Sequence, residues 1–216
     1  PYQPTCKPEG KNCSSRTRVA LETVNETAKE TAKETMNETE TFLFDLQGYI
    51  VIPQVLNADE VAQCNAAIDH HADQINERTG DLSLSSDSAT LKGTTGRGDL
   101  GGLLGWDHPW CDPFRSMLCH PRLVPYLHPI IGKGYRLDHN AGLISMRKGA
   151  EGHTFHGSSG PDFDPNQYYI WRNGRMHNGL TVGPWQLADV KPGAGGLVGI
   201  PGRHKGSGAC PAPLRR

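Results

Sequence analysis

The 216-residue chain has almost no net charge, no long apolar run and no paired-cysteine motif. Its 22 Lys and Arg stand against 23 Asp and Glu, a formal charge of -1. No global field therefore draws it to nucleic acid or to an anionic membrane, and neither is expected as a partner. No apolar stretch reaches the roughly 18–20 residues that a helix needs to cross a bilayer, so no membrane span is expected. The six cysteines (Cys6, Cys13, Cys64, Cys111, Cys119 and Cys210) show neither a CxxC pair nor a dense framework. They read as free thiols, which tilts the expected compartment towards the cytoplasm. The chain also lacks an initiating methionine: it starts at Pro1. The native N-terminus is thus expected upstream, and a signal peptide is not readable.

Glycine and proline are plentiful, at 26 and 16 residues, and nearly all the glycine follows residue 79. That texture predicts many turns and short strands rather than a helical bundle. Residues 1–41 carry few large apolar side chains and read as a leader, disordered at first and then marginally helical. In "NETAKETAKETMNETET", Val24, Ala28, Ala32 and Met36 recur at helical spacing, while Glu26, Glu30, Glu34 and Glu38 form a like-charged column that weakens a helix. Asn12, Asn25 and Asn37 each head an N-x-S/T triplet, which matters only in a secreted protein.

The folded domain is expected over 42–216. Phe42, Leu43 and Leu46 suit a helix face that Gly48 ends, and "YIVIP" reads as a strand closed by Pro53. Asn57 or Asp59 can cap a helix over roughly 58–78, with Val61, Cys64, Ile68, His71 and Ile75 as its inward stripe. Within it, "DHHAD" reads as a charged face rather than a metal cluster. Residues 80–105 read as a long loop or lid, and 106–132 as two short helices begun near Pro113 and Pro121. Beyond that, "YRLDHNAGLISMRKG", "QYYIWRNG", "HNGLTVGPWQLADVKPG" and "GGLVGIPG" look like short β segments. Helices followed by strands predict an α+β fold whose second half is a sandwich or barrel.

Of the ten histidines, His70, His71, His108, His120, His128 and His139 sit in helical or turn contexts without partners at ligand spacing, and His177 falls in the turn "NGRMHNG". His153, His156 and His204 remain. His156 lies in "GHTFHGSSG" after a predicted strand, and His204 in "PGRHKG" at a strand–turn junction that limits its motion. Two distant imidazoles joined by a carboxylate are what a non-haem iron(II) site requires.

The stretch "FDLQGYIVIPQVLNADEVAQCNAAID" resembles the opening of the phytanoyl-CoA dioxygenase family, and "WQLADVKPGAGGLVGIPGRHKG" resembles its later segment. "YRLDHNAGLISMRKGAEGHTFHG" between them fits too, so the resemblance covers residues 42–204. It implies a double-stranded β-helix of the jelly-roll or cupin type with N-terminal helices, complete or cut short by the end of the chain. It also implies a non-haem Fe(II)- and 2-oxoglutarate-dependent dioxygenase acting on a small or lipid-like molecule. By the same resemblance His204 matches the distal histidine ligand and His156 the first histidine of the family's His-x-Asp element.

Here the sequence departs from the pattern, because position 158 is Ser158. Three outcomes follow: Asp162 or Asp164 supplies the carboxylate, water or a halide takes the vacant position, or metal binding is too weak for catalysis. The family also holds the far carboxylate of 2-oxoglutarate with a basic residue about ten positions past the distal histidine. Arg215 lies eleven past His204, although "GSGACPAPLRR" does not read as a strand and also suits a charged, mobile terminus. Two other readings stay open: an inactive jelly-roll binding module or decayed family fragment, and a zinc-type cupin in which His153 or His139 joins the other two histidines.

Overall fold

The computed structural model describes residues 35–80, 89, 91–156 and 164–206. Two helices open the described chain, and both start with the same local device. Helix α1 (Glu38–Gln47) is capped by Asn37, whose side chain accepts from the Glu40 N–H while Glu40 reaches back to the Asn37 N–H. Helix α2 (Ala58–His70) repeats this with Asn57 and Glu60. Each box satisfies two backbone donors that a helix start leaves open. Gly48 ends α1 in the left-handed region at φ 81°, its N–H 2.7 Å from the Phe44 carbonyl. The buried member of α1 is Phe44, whereas Phe42, Leu43 and Leu46 are exposed. Residues 49–53, expected as a strand, have no ladder partner and form none.

Helix α2 stops eight residues short of the expected end. A one-turn 3-10 segment (Ala72–Gln74) follows, and the chain then enters strand β1 (Asn76–Arg78). The inward stripe holds, with Cys64, Ala67 and Ile68 buried. The expected loop 80–105 contains strand β2 (Arg97–Leu100), which pairs antiparallel with β1 on one side and β3 (Leu143–Ser145) on the other. Its alternation buries Gly98 and Leu100, and Asp99 gathers Arg97 and Arg78. Arg97, hydrogen-bonded to the Asp99 carboxyl, holds it below its usual range. A glycine and a charged triad do not look like a strand in sequence; only the pairing makes one.

Helices α3 (Asp112–Met117) and α4 (Val124–Ile131) each carry proline in the first turn, where its missing N–H costs nothing. The second starts at Val124, three residues past Pro121, with Pro125 in its first turn. One apolar core joins α2, β2 and α3 through Cys64, Ala67, Ile68, Leu100, Leu103, Phe114 and Met117. A second joins α1, α4 and the later hairpin through Met36, Phe44, Tyr126, Ile130 and Met176. That hairpin is β4 (Tyr169–Arg172) and β5 (Arg175–Asn178), turned by Asn173 and Gly174 at φ 53° and 70°. Positive φ at both positions is the two-residue turn that matches strand twist. His177 is therefore a strand residue opposite Ile170, not a turn residue.

The architecture is α+β with a three-stranded and a two-stranded antiparallel sheet. Residues 179–200, expected to supply further strands, form none, and the described strands do not close into a barrel. Cys64, Cys111 and Cys119 are free thiols, and burial, with Glu60 nearby, pushes the Cys64 thiol up to about 11. No helix among the described residues is long and apolar enough to cross a membrane.

Candidate functional site

His204 sits in a 3-10 turn (Arg203–Lys205) that follows Gly202 at φ 78°. No apolar strand leads into it: Leu197 and Val198 are exposed and unpaired. The turn does not throw His204 outward either. It folds back onto the C-terminal end of α1, whose last carbonyls have no partner within the helix. The Gly202 N–H donates to the Gln47 carbonyl at 2.8 Å, and His204 Nε2 donates to the Asp45 carbonyl at 3.0 Å. A carbonyl only accepts, so Nε2 carries the proton and Nδ1 the lone pair. Nδ1 is buried with no hydrogen-bond partner. Burial holds the imidazole below its usual pKa, with the neighbouring Lys205 charge acting the same way. The ring is thus neutral.

Gly48 makes this approach feasible. A Cβ built there would lie 2.2 Å from His204 Nδ1, so one glycine both ends α1 and gives the imidazole its place. Around it, the Asp45 carboxylate takes Lys205 Nζ at 2.9 Å and the Tyr169 hydroxyl at 2.5 Å on the same oxygen. Lys205 first and Tyr169 second hold the Asp45 carboxyl below its usual range. Burial, and then Asp45, push the Tyr169 phenol well above its own. The Tyr169 ring meets His204 edge-on at 4.6 Å. A shallow hollow of about 310 Å³, lined by Met36, Glu38, Thr41, Phe42, Asp45 and Trp171, shares Asp45 with this node.

His156 lies in an irregular segment after β3 and is exposed. Its Nδ1 donates to the Thr154 carbonyl at 2.9 Å, which leaves the Nε2 lone pair directed away from the backbone. The His153 ring is tilted against it at 4.2 Å between centroids. Ser158, Asp162 and Arg215 lie outside the described residues. Asp164 Oδ1 accepts from the Asn166 N–H at 2.8 Å.

Histidine ligands of metals commonly donate their second ring nitrogen to a backbone carbonyl, which fixes the tautomer. Both imidazoles are held this way, with Nε2 of His156 and Nδ1 of His204 free as donors, so their chemistry fits a metal. Access differs. Nδ1 of His204 is buried against Gly48, whereas His156 is exposed. Among the described residues, neither histidine belongs to a group of three close potential ligands. The group that does exist among these residues is His108, Cys111 and Asp112, so His108 is not without partners as its sequence context suggests.

The Asp45–Tyr169–Lys205 contacts were also not foreseen, since 124 residues separate Asp45 from Tyr169. In sequence Gly48 signals a helix stop and nothing of its contact with His204. His70 and His71 stack on Trp110 and Trp106 at 4.2 and 3.8 Å, in keeping with a structural rather than a metal role for "DHHAD". His120, buried, donates to Glu60 and accepts from the Arg122 N–H.

A family model described as phytanoyl-CoA dioxygenase (PhyH) matches residues 44–212, a span that contains both histidines and ends three residues before Arg215. No curated protein and no solved structure matches the chain.

Proposed function

The chain belongs to the phytanoyl-CoA dioxygenase family, whose members are Fe(II)- and 2-oxoglutarate-dependent oxygenases. On that premise we propose that it hydroxylates a small or lipid-like molecule, with iron held by His156 and His204 in a double-stranded β-helix core. The observation that carries the reading is a family match that spans both histidines.

Asp162 is the proposed third ligand. Asp164, the other carboxylate near Ser158, already accepts a backbone hydrogen bond at 2.8 Å. Arg215 is proposed to hold the far carboxylate of 2-oxoglutarate, because a guanidinium pairs a carboxylate through two parallel hydrogen bonds. Bound there, iron with 2-oxoglutarate and O2 would supply the oxidising power for hydroxylation. The chain's own part is to hold the two imidazoles in fixed tautomers through the Thr154 and Asp45 carbonyls.

The test is iron-dependent consumption of 2-oxoglutarate by the full chain. His156→Ala abolishes it with the fold intact, since His156 is exposed. His204→Ala abolishes it too, and turnover unchanged in either variant refutes the assignment. One observation favours a second reading, an inactive binding module: His204 already serves as a cap on α1. Titration with redox-silent Mn(II) separates the two, because His156-dependent binding supports the enzyme and its absence supports the module.

A further inference from the structure

We propose that His108, Cys111 and Asp112 form a second metal site, independent of His156 and His204, that takes a borderline divalent cation of the zinc type. Their donor atoms converge: His108 Nδ1 and Asp112 Oδ1 are 2.7 Å apart, Cys111 Sγ is 3.9 Å from the former and 3.6 Å from the latter. Tetrahedral zinc, with bonds of about 2.0–2.3 Å, needs roughly 3.6 Å from sulfur to nitrogen or oxygen and roughly 3.3 Å from nitrogen to oxygen. Two of the three separations already lie near those values. The third is a hydrogen bond between exposed side chains, which opens by about 0.6 Å through side-chain rotation once a cation replaces the shared proton.

The backbone under these residues is fixed. Trp110 N–H donates to the Asp107 carbonyl at 2.9 Å, Asp112 N–H to Pro109 at 3.2 Å and Arg115 N–H to Cys111 at 3.0 Å. Trp110, between two of the ligands in sequence, is stacked on His70. Supports of this kind hold ligand geometry before the ion arrives. Cys111 is fully buried, whereas the His108 and Asp112 side chains are 71% and 52% exposed. The ion would therefore sit on an inner thiolate beneath two outer ligands, with its fourth position open to water.

Sulfur, nitrogen and one carboxylate select zinc, cobalt or nickel over magnesium or calcium, which prefer all-oxygen sites. On binding, the S–H bond breaks, its proton leaves to solvent and a metal–sulfur bond forms. The proton that His108 Nδ1 shares with Asp112 also leaves to solvent and the imidazole takes one up on Nε2, so Nδ1 offers its lone pair and one proton is released net. No electron is transferred. Affinity consequently falls as pH falls.

The test uses the full chain, stripped with a chelator and titrated with Co(II) alone. One equivalent is expected to give the thiolate-to-cobalt charge-transfer absorption, which Zn(II) then removes. His108→Ala weakens Co(II) binding by at least about 100-fold, more than the roughly 10–100-fold that loss of an outer-shell partner costs. Asp112→Asn weakens it less, Cys111→Ser abolishes the band, and His156→Ala leaves it unchanged. Absence of the band from the unmutated chain, or its persistence in His108→Ala, overturns the proposal. Cys111 is buried, so circular dichroism checks that Cys111→Ser is folded, and if it is not, the two exposed-site variants decide.

Discussion

Residues 35–150 and 164–206 meet the same solvent with opposite success. In the first region, α2, β2 and α3 bury Cys64, Ala67, Ile68, Leu100, Leu103, Phe114 and Met117 together. In the second, Met176 is the single buried residue among those described, while Val182, Leu197 and Val198 are 76%, 78% and 68% exposed. The second region meets the first through Met176 and Tyr169 on one core and through Trp185 and Leu187 at the edge of the other. Polar bonds join them too: Asn65 to the Leu187 carbonyl, Asn178 to the Ile130 carbonyl, and the His204 turn to the end of α1. An apolar, strand-like pattern packs only where another face exists to receive it. Where none does, specific hydrogen bonds fix position and apolar burial contributes little.

That contrast can be broken most sharply by paired truncations. Phe114→Ala should cost about 3–5 kcal/mol in denaturant unfolding, as buried aromatics do. Leu197→Ser should change stability by less than about 0.5 kcal/mol. Similar costs for both would remove the distinction.

A smaller effect is expected where the two regions join. Gly48→Ala places a side chain at φ 81° and into the His204 ring. It should cost at least about 1 kcal/mol and release the turn, so that NMR shows His204 titrating closer to its ordinary value. An unmoved His204 resonance would mean that the turn holds without α1.

The mildest test is pH. His204 has a folded pKa below its ordinary 6.5, so the unfolded chain binds more protons between the two values. The stability it protects is present above about pH 6.5 and declines as pH falls towards the lower folded value. Asp45 repeats this lower down: its contribution is present above its ordinary 3.8 and is lost as pH falls through its lower folded pKa. Lys205→Met should raise the Asp45 titration midpoint, because Lys205 is its strongest partner.

Local signals were legible wherever a few adjacent residues settle the matter. Asn57 starts a helix and Gly48 ends one, whereas the hairpin turned by Asn173–Gly174 was not legible, because "NGRMHNG" reads as a turn where Arg175–Asn178 form a strand. The family resemblance was legible for a similar reason, since "DVKPGAGGLVGIPGRHK" is contiguous. Strand β2 was not, because Arg97, Gly98 and Asp99 make a strand only through β1, β3 and the Asp99–arginine pairs. The candidate site was half legible: His156 and His204 could be named from motif position, but their partners on Thr154 and Asp45 could not.

The sequence by itself determined the end of α1, the start of α2, the family and the identity of two imidazoles, because each depends on neighbours along the chain. Tertiary structure alone decided that residues 179–200 stay unpaired and that His204 closes the end of α1. Those outcomes depend on which distant backbone group is left without a partner, and no local pattern encodes that.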